Sequence, residues 1–205
     1  MAAMKLYSHK QAPNPRRVRI FLAEKGVSVP TEEVDIFARA NRKPDFLAKN
    51  PLGGIPVLEL DDGTCIAESV AICRYFEALH PKPALFGESP LEQATIEMWN
   101  RRLELVLLNS IGMVWVHGHP LTASLLQQVP ANVAPAKERA GQFFGLLDRE
   151  LAKRPFIAGE RLSIADITAL CAIDFGRFIE LPPDPNLAHV ARWYALMSAR
   201  PSASA

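Results

Sequence analysis

Apolar and polar positions alternate with period two from Ile55 to Leu60, and turn residues flank the run on both sides. That pattern predicts a strand. Asp62-Gly63 is a hairpin signal of the two-residue kind, so Thr64 to Ile66 is expected to return antiparallel. From Glu68 the spacing turns helical, with Ile72, Phe76 and Leu79 on one face. Upstream, Met4 to Tyr7 reads as a short first strand. Asn14-Pro15 reads as a helix start with Asn14 at the N-cap and Pro15 at N1. Val18, Phe21 and Leu22 then form the buried face, and Gly26 ends the helix. A second strand falls within Val29 to Ile36, and Asn41 to Lys49 reads as irregular chain or a short helix. Strand, helix, strand is a βαβ unit, which needs a parallel pair and a right-handed crossover.

Strand signals stop after a proline-rich stretch from Pro81 to Pro90. Its stiffness and polarity mark a domain boundary. Ile96, Trp99, Leu103, Val106, Ser110 and Met113 then recur at helical spacing through a long helix. Ala140, Phe143, Phe144, Leu147 and Leu151 mark another. Ser163 and Asp166 stand in an S-x-x-D arrangement that opens a third, with Leu162 and Ile167 placed as a hydrophobic staple. Ile164, Ile167, Cys171, Phe175 and Phe178 make its apolar face. Leu187, Val190, Tyr194 and Met197 trace the last helix. The fold class is therefore α/β plus all-α: a βαβ-α-ββα domain over residues 1–80, a linker over 81–90, and an all-helical domain over 91–205. The first of these is a thioredoxin-like layout.

Composition narrows the function classes without naming one. The chain is 49% hydrophobic and 22% charged, ordinary for a globular protein. A net charge of +1 gives no reason to expect nucleic acid or an acidic membrane surface. No apolar run approaches the ~18 residues of a spanning helix. The N-terminus lacks the order of a signal peptide. Cys65, Cys73 and Cys171 are an odd set without metal-ligand spacing, expected as buried thiols in a reducing cytoplasm. His117-Gly118-His119 offers two imidazoles but no third ligand, so no metal is expected. Arg16, Arg17 and Arg19 are expected on a solvated helix face.

Two neighbouring elements could hold an anionic peptide. Pro56 at the head of its strand is a candidate cis residue, which would present the backbone N–H and C=O of Ile55. Glu68-Ser69 opens a helix, where backbone donors and a hydroxyl favour an anion. Together they suit a small zwitterionic peptide. The ordered set Asn50-Pro51-Leu52-Gly53-Gly54-Ile55-Pro56, a hairpin, then Glu68-Ser69 resembles the N-terminal domain of the glutathione transferases. Ala158-Gly159 followed by Ser163 and Asp166 is similar to that family's capping motif, which extends the resemblance to the helical half.

The resemblance implies that the Ile55 main chain pairs with the cysteinyl backbone of glutathione beside Pro56, that Glu68 takes the γ-glutamyl ammonium, and that Ser69 takes its carboxylate. A Lys or Gln that the family often has at position 54 is replaced by Gly54, leaving Arg42 or Lys43 for the glycyl carboxylate. The loop Ser8-His9-Lys10-Gln11-Ala12-Pro13-Asn14 carries no cysteine. Its Pro-Asn order is similar to the Nu class and related bacterial enzymes, which implies Asn14 as the group facing the sulfur. Their preceding threonine is matched by Ala12. Tyr7 and Ser8 are the other candidate donors. A free thiol has a pKa of ~8.5, and lowering it by about two favours the anion by roughly 2.7 kcal/mol.

The expected activity is attack of bound glutathione thiolate on a hydrophobic electrophile, a detoxification reaction in a cytoplasmic homodimer. Gln11, Met113, Val114 and His117 are expected to receive the second substrate. Two other classes stay open: a glutathione-dependent disulfide reductase or peroxidase, and a non-catalytic binding protein on the same fold.

Overall fold

The computed structural model describes residues 4–205, in two units: the described residues up to Leu85 with Pro201–Ala205, and Phe86–Arg200. In the first, β1 (Lys5–Ser8) runs parallel to β2 (Thr31–Glu33) across α1 (Pro13–Lys25). Strand β3 (Val57–Glu59) is antiparallel to β1, and β4 (Cys65–Ala67) is antiparallel to β3, giving the order β2-β1-β3-β4. The strand period of two sorts this sheet's residues. Tyr7, Val57 and Glu59 share one face with Cys65, whereas Leu6, Ser8, Leu58 and Ile66 share the other. The first face packs Tyr7, Val34 and Val57 against Phe46 of α2 (Pro44–Leu47). On the second face Arg19 of α1 reaches the Ser8 hydroxyl, and α1 packs on α3 (Ser69–Leu79).

Three local details differ from the sequence reading. Helix α1 begins at Pro13 with Ala12 as N-cap, so Asn14 is the second helical residue rather than the cap. Both Pro13 and Pro15 are tolerated there because first-turn N–H groups have no intrahelical partner to lose. The hairpin loop has three residues, not two: Gly63 N–H donates to Leu60 C=O and Leu60 N–H to Thr64 C=O. A two-residue type I′ turn needs positive φ twice, and here Gly63 alone supplies it, at 86°. Leu79, expected on the buried face of α3, is 52% exposed, whereas Ile72, Cys73 and Phe76 are buried.

Lys25 clamps the chain after α3, donating to the His80 carbonyl at 2.8 Å and to Pro83 while pairing with Glu77. The last five residues, assigned from sequence to the helical domain, belong to the first unit. Arg16 donates to Ala203 C=O at 2.9 Å, and Ser202 donates to Glu24.

The second unit contains α4 (Pro90–Arg102), α5 (Asn109–Gly118), α6 (Val133–Leu151), α7 (Ile164–Phe178) and α8 (Ala188–Ser198). The predicted long helix is continuous, but Leu103–Leu108 is a π-helix between α4 and α5. Ile96, Trp99, Leu103 and Ser110 are buried as expected, but Val106 and Met113 are only half-buried, and Leu107, Ile111 and Val114 are buried beside them. Asp166 at the start of α7 is wholly buried. It completes the capping box with Ser163 and also accepts from Ile157 N–H and from Trp193 Nε1 of α8, each at 2.9 Å. Burial pushes its carboxyl pKa up, and those donors oppose the rise. Phe178, expected in the core, is 52% exposed.

Candidate functional site

The loop before β3 is built by its own side chains. Asn50, 4% exposed, donates to Gly54 C=O at 2.9 Å and accepts from Leu52 N–H. Asn41 donates to Gly53 C=O at 2.7 Å, and Arg42 donates to Leu52 C=O at 2.9 Å. Gly53 has φ 63°, and a Cβ there would lie 2.7 Å from the Asn41 oxygen, so a side chain is excluded twice. This scaffold delivers the Ile55-Pro56 bond in the cis form. The ladder ends at Val57, which leaves the N–H and C=O of Ile55 beyond it. Arg42 thus commits one donor to the loop, and Lys43, at the N-cap of α2, is exposed.

The start of α3 is organised differently. Glu68 is exposed with φ 67°, a conformation sparsely populated by non-glycine residues and costing about 1–3 kcal/mol. Ser69 is 5% exposed. Its Oγ accepts from Arg17 Nη1 at 2.6 Å, and Arg17 is itself only 1% exposed. Ile72 N–H makes the first intrahelical bond, to Glu68 C=O. The N–H groups of Ser69, Val70 and Ala71 precede that bond.

At the start of α1 donors are scarce. Pro13 and Pro15 have no N–H, so Asn14 supplies the single main-chain donor of the first three helical positions. Arg16 N–H already bonds to Ala12 C=O. The Asn14 side chain is exposed and adds an amide. Behind it the loop is tied down: Arg19 donates to Ser8 Oγ at 2.8 Å and to Lys10 C=O at 2.8 Å, and Lys10 N–H donates to Glu33. Exposed Gln11 donates its N–H to His9 Nδ1 at 3.2 Å.

Tyr7 points to the other face of the sheet from Ser8 and has a partner. Its hydroxyl donates to Glu59 Oε2 at 2.6 Å, an oxygen that Lys49 Nζ also reaches at 2.7 Å. Burial, then the bond to Glu59, pushes the Tyr7 pKa above its ordinary value. Lys49 first, and Tyr7 second, hold the Glu59 carboxyl below the usual carboxylate range.

In the second unit Val114 is 5% exposed, while Met113 and His117 are half-buried. His117 Nδ1 accepts from Val129 N–H at 3.2 Å. Val114 also lines a cavity of about 400 Å³ with His119, Val133, Lys137 and Phe178. His119 lies 4.5 Å from the Trp115 ring and stacks on Phe178 at 5.9 Å. Sequence reading weighed His119 with His117 as metal ligands, preferred both at the end of the long helix facing the substrate cleft, and missed this aromatic group. Among the described residues no cluster of three or more His, Cys, Asp or Glu could hold a metal ion, and no helix is long and apolar enough to cross a membrane. None of the three cysteines forms a disulfide; Cys73 and Cys171 are buried.

The residue that sequence reading misplaced is Arg17, expected on a solvated face. A signal existed: Arg17 precedes Phe21 by one helical turn, on the arc that carries Ile20 and Phe21 into the core.

The family description "Glutathione S-transferase, N-terminal domain" matches residues 2–78, and "Glutathione S-transferase, C-terminal domain" matches residues 116–201. Glutathione S-transferase 2 of Saccharomyces cerevisiae is 37% identical over 97% of this chain and 87% of its own length. The crystal structure of a glutathione S-transferase domain-containing protein from Marinobacter aquaeolei VT8 superposes with a TM-score of 0.93 at 42% identity, covering 97% of this chain and 98% of that one. Elongation factor 1-gamma of Equus caballus is a more distant match, 34% identical over 67% of this chain and 30% of its own length. A relative of that identity and coverage, matched in both halves and in fold, places this chain in the glutathione S-transferase family.

Proposed function

We propose a division of labour for this glutathione transferase, which joins the sulfur of glutathione to a small electrophile. Ile55 pairs its main chain with the cysteinyl backbone of glutathione beside Pro56. Glu68 takes the γ-glutamyl ammonium, and Ser69 takes the γ-glutamyl carboxylate through its hydroxyl and N–H. Lys43 is the better candidate of its pair for the glycyl carboxylate, because Arg42 already serves the Leu52 carbonyl. Asn14 faces the sulfur. The thiol loses its proton to water, the thiolate forms a bond to the electrophilic carbon, and a leaving group such as chloride departs with its electron pair. Asn14 contributes by stabilising the anion with its N–H and amide donors.

The observation that carries this reading is the start of α3. A serine hydroxyl on a buried arginine, three N–H groups ahead of the first helical bond and an outward carboxylate match one carboxylate and one ammonium. Asn14 is favoured over Tyr7 because the Tyr7 hydroxyl donates to Glu59, and over Ser8 because Ser8 is 1% exposed whereas Asn14 is exposed at the helix start. Gln11, Met113, Val114 and His117 are assigned to the hydrophobic electrophile. A homodimer completes the reading. Leu91, Met98 and Leu105, seven residues apart along one helix, are 78%, 41% and 57% exposed, an apolar stripe suited to a second copy. A cytoplasmic location agrees with three cysteines outside any disulfide.

Calorimetric titration with glutathione, followed by conjugation of a chloronitrobenzene, tests the proposal; binding and conjugation are the expected results. Turnover of hydroxyethyl disulfide without conjugation would favour the reductase reading, which the cysteine-free loop with Asn14 also accommodates. No binding at all would favour a non-catalytic member.

A further inference from the structure

We infer that Arg17 is a positioning residue for the peptide site, acting through Ser69: it occupies the hydroxyl's acceptor side and aims its proton at the γ-glutamyl carboxylate. The inference rests on Ser69 as the carboxylate's ligand. A serine hydroxyl has one proton and two lone pairs and rotates to suit its neighbours. An arginine is donor-only and stays charged. The 2.6 Å contact from Arg17 Nη1 therefore has one polarity, with Oγ accepting. The hydroxyl proton is left to point elsewhere, at a helix start where the N–H groups of Ser69, Val70 and Ala71 also precede the first helical bond.

Burial makes the arrangement effective. With Arg17 1% and Ser69 5% exposed, water competes little for either group. A cationic donor on Oγ polarises the O–H and strengthens the bond it donates in turn. A fixed rotor also loses no freedom when the anion arrives. The two residues lie 52 positions apart, on α1 and α3, whose mutual packing holds the pair in register. Lys49 is engaged with Glu59 and Arg42 with the Leu52 carbonyl.

The test is a double-mutant cycle. Arg17→Gln, Arg17→Lys, Ser69→Ala and both doubles are titrated with glutathione and with 4-aminobutyryl-cysteinylglycine, which lacks only the γ-glutamyl carboxylate. Arg17→Gln is expected to weaken glutathione binding by about ten- to fiftyfold with Ser69 present and by no more than about twofold in Ser69→Ala. Binding of the carboxylate-free analogue should change by no more than about twofold. Arg17→Lys should recover part of the loss, and KM for glutathione should rise while kcat at saturation holds. Equal losses in both Ser69 backgrounds, or equal losses for both peptides, would overturn the inference and leave Arg17 a support of the fold. Should Arg17→Gln fail to fold, Arg17→Lys runs the same cycle, with a roughly three- to tenfold loss expected only when Ser69 is present. A parent protein that binds no glutathione removes the reading of Ser69 itself. A parent that binds it, with uncoupled variants, removes only the role of Arg17.

Discussion

At the start of α7 the Asp166 carboxylate is wholly buried and accepts from Ser163 N–H, Ser163 Oγ, Ile157 N–H and Trp193 Nε1. At the start of α3 the residue types are nearly the same, a serine and an acid, but Glu68 is exposed at φ 67° and caps nothing. The first start is closed, because each acceptor is met by a donor of the protein itself. At the second a buried arginine meets the serine oxygen, and the helix's first N–H groups precede the ladder. A closed start supplies stability. An open one carries backbone strain and desolvated charge, which is the expected condition of a site that completes its bonds with a ligand. The start of α1 is a third variant: two prolines strip it of donors until Asn14 is the main one left.

Breaking the closed start should have the largest effect. Asp166→Ala orphans several buried donors, each worth about 1–3 kcal/mol, so a loss of roughly 3–5 kcal/mol is expected in the denaturant midpoint, with glutathione affinity of the folded protein retained. A normal midpoint with lost affinity would mean that the two starts have been assigned the wrong way round. Ser69→Ala should do the reverse, weakening glutathione binding by about 1–3 kcal/mol. Calorimetry is the measurement, and unchanged affinity in a folded variant would remove Ser69 from the site.

Asn14→Ala should slow conjugation at neutral pH by roughly ten- to hundredfold and raise the apparent pKa of bound glutathione, with little change in its affinity. The backbone N–H of residue 14 survives the substitution, which keeps the loss at the modest end. The ultraviolet absorbance of bound thiolate, titrated with pH, reports it. Tyr7→Phe should leave that titration in place, because the hydroxyl serves Glu59 and its raised pKa keeps it protonated. A shift with Tyr7→Phe and none with Asn14→Ala would make the tyrosine the donor.

The smallest effect is expected at the Glu59–Lys49 pair, whose side chains are 22% and 27% exposed. Lys49→Met should cost less than ~1 kcal/mol at neutral pH. Because Glu59 titrates below its ordinary value of 4.5 when folded, its contribution is present above that pH and disappears as pH falls through the folded value. The difference between parent and variant in thermal denaturation should therefore close below pH 4.5. A difference that persists there would show that Lys49 acts through packing on the Tyr7 ring, 5.1 Å from its Nζ.

Much of the site was legible in the residues themselves. Pro56 at a strand head, Gly53 in the turn before it and the change of period at Glu68 are local signals, and the structure has the cis bond, the positive φ and the helix start. The capping box of Ser163 and Asp166 was equally readable, but the reach of Asp166 to Trp193, 27 residues on, was not. The π-helix at Leu103–Leu108 was also hidden. Its residues suit an ordinary helix, and the buried positions on either side of it, Trp99, Leu103, Leu107, Ile111 and Val114, keep ordinary helical spacing, so no local signal marks it.

The sequence by itself determined which elements occur and in what order, which strand edge opens on a proline, and which residue types gather near the helix starts. Those follow from φ/ψ limits, missing N–H groups and side-chain periodicity, all of which act over a few residues. Only the tertiary structure decided what each polar group does. Tyr7 meets Glu59 and Arg17 meets Ser69, each across 52 positions, and Thr168 meets Asn100 across 68. A hydroxyl or a guanidinium carries no mark of its partner. Its role is settled when burial removes water and leaves one neighbour within hydrogen-bonding distance.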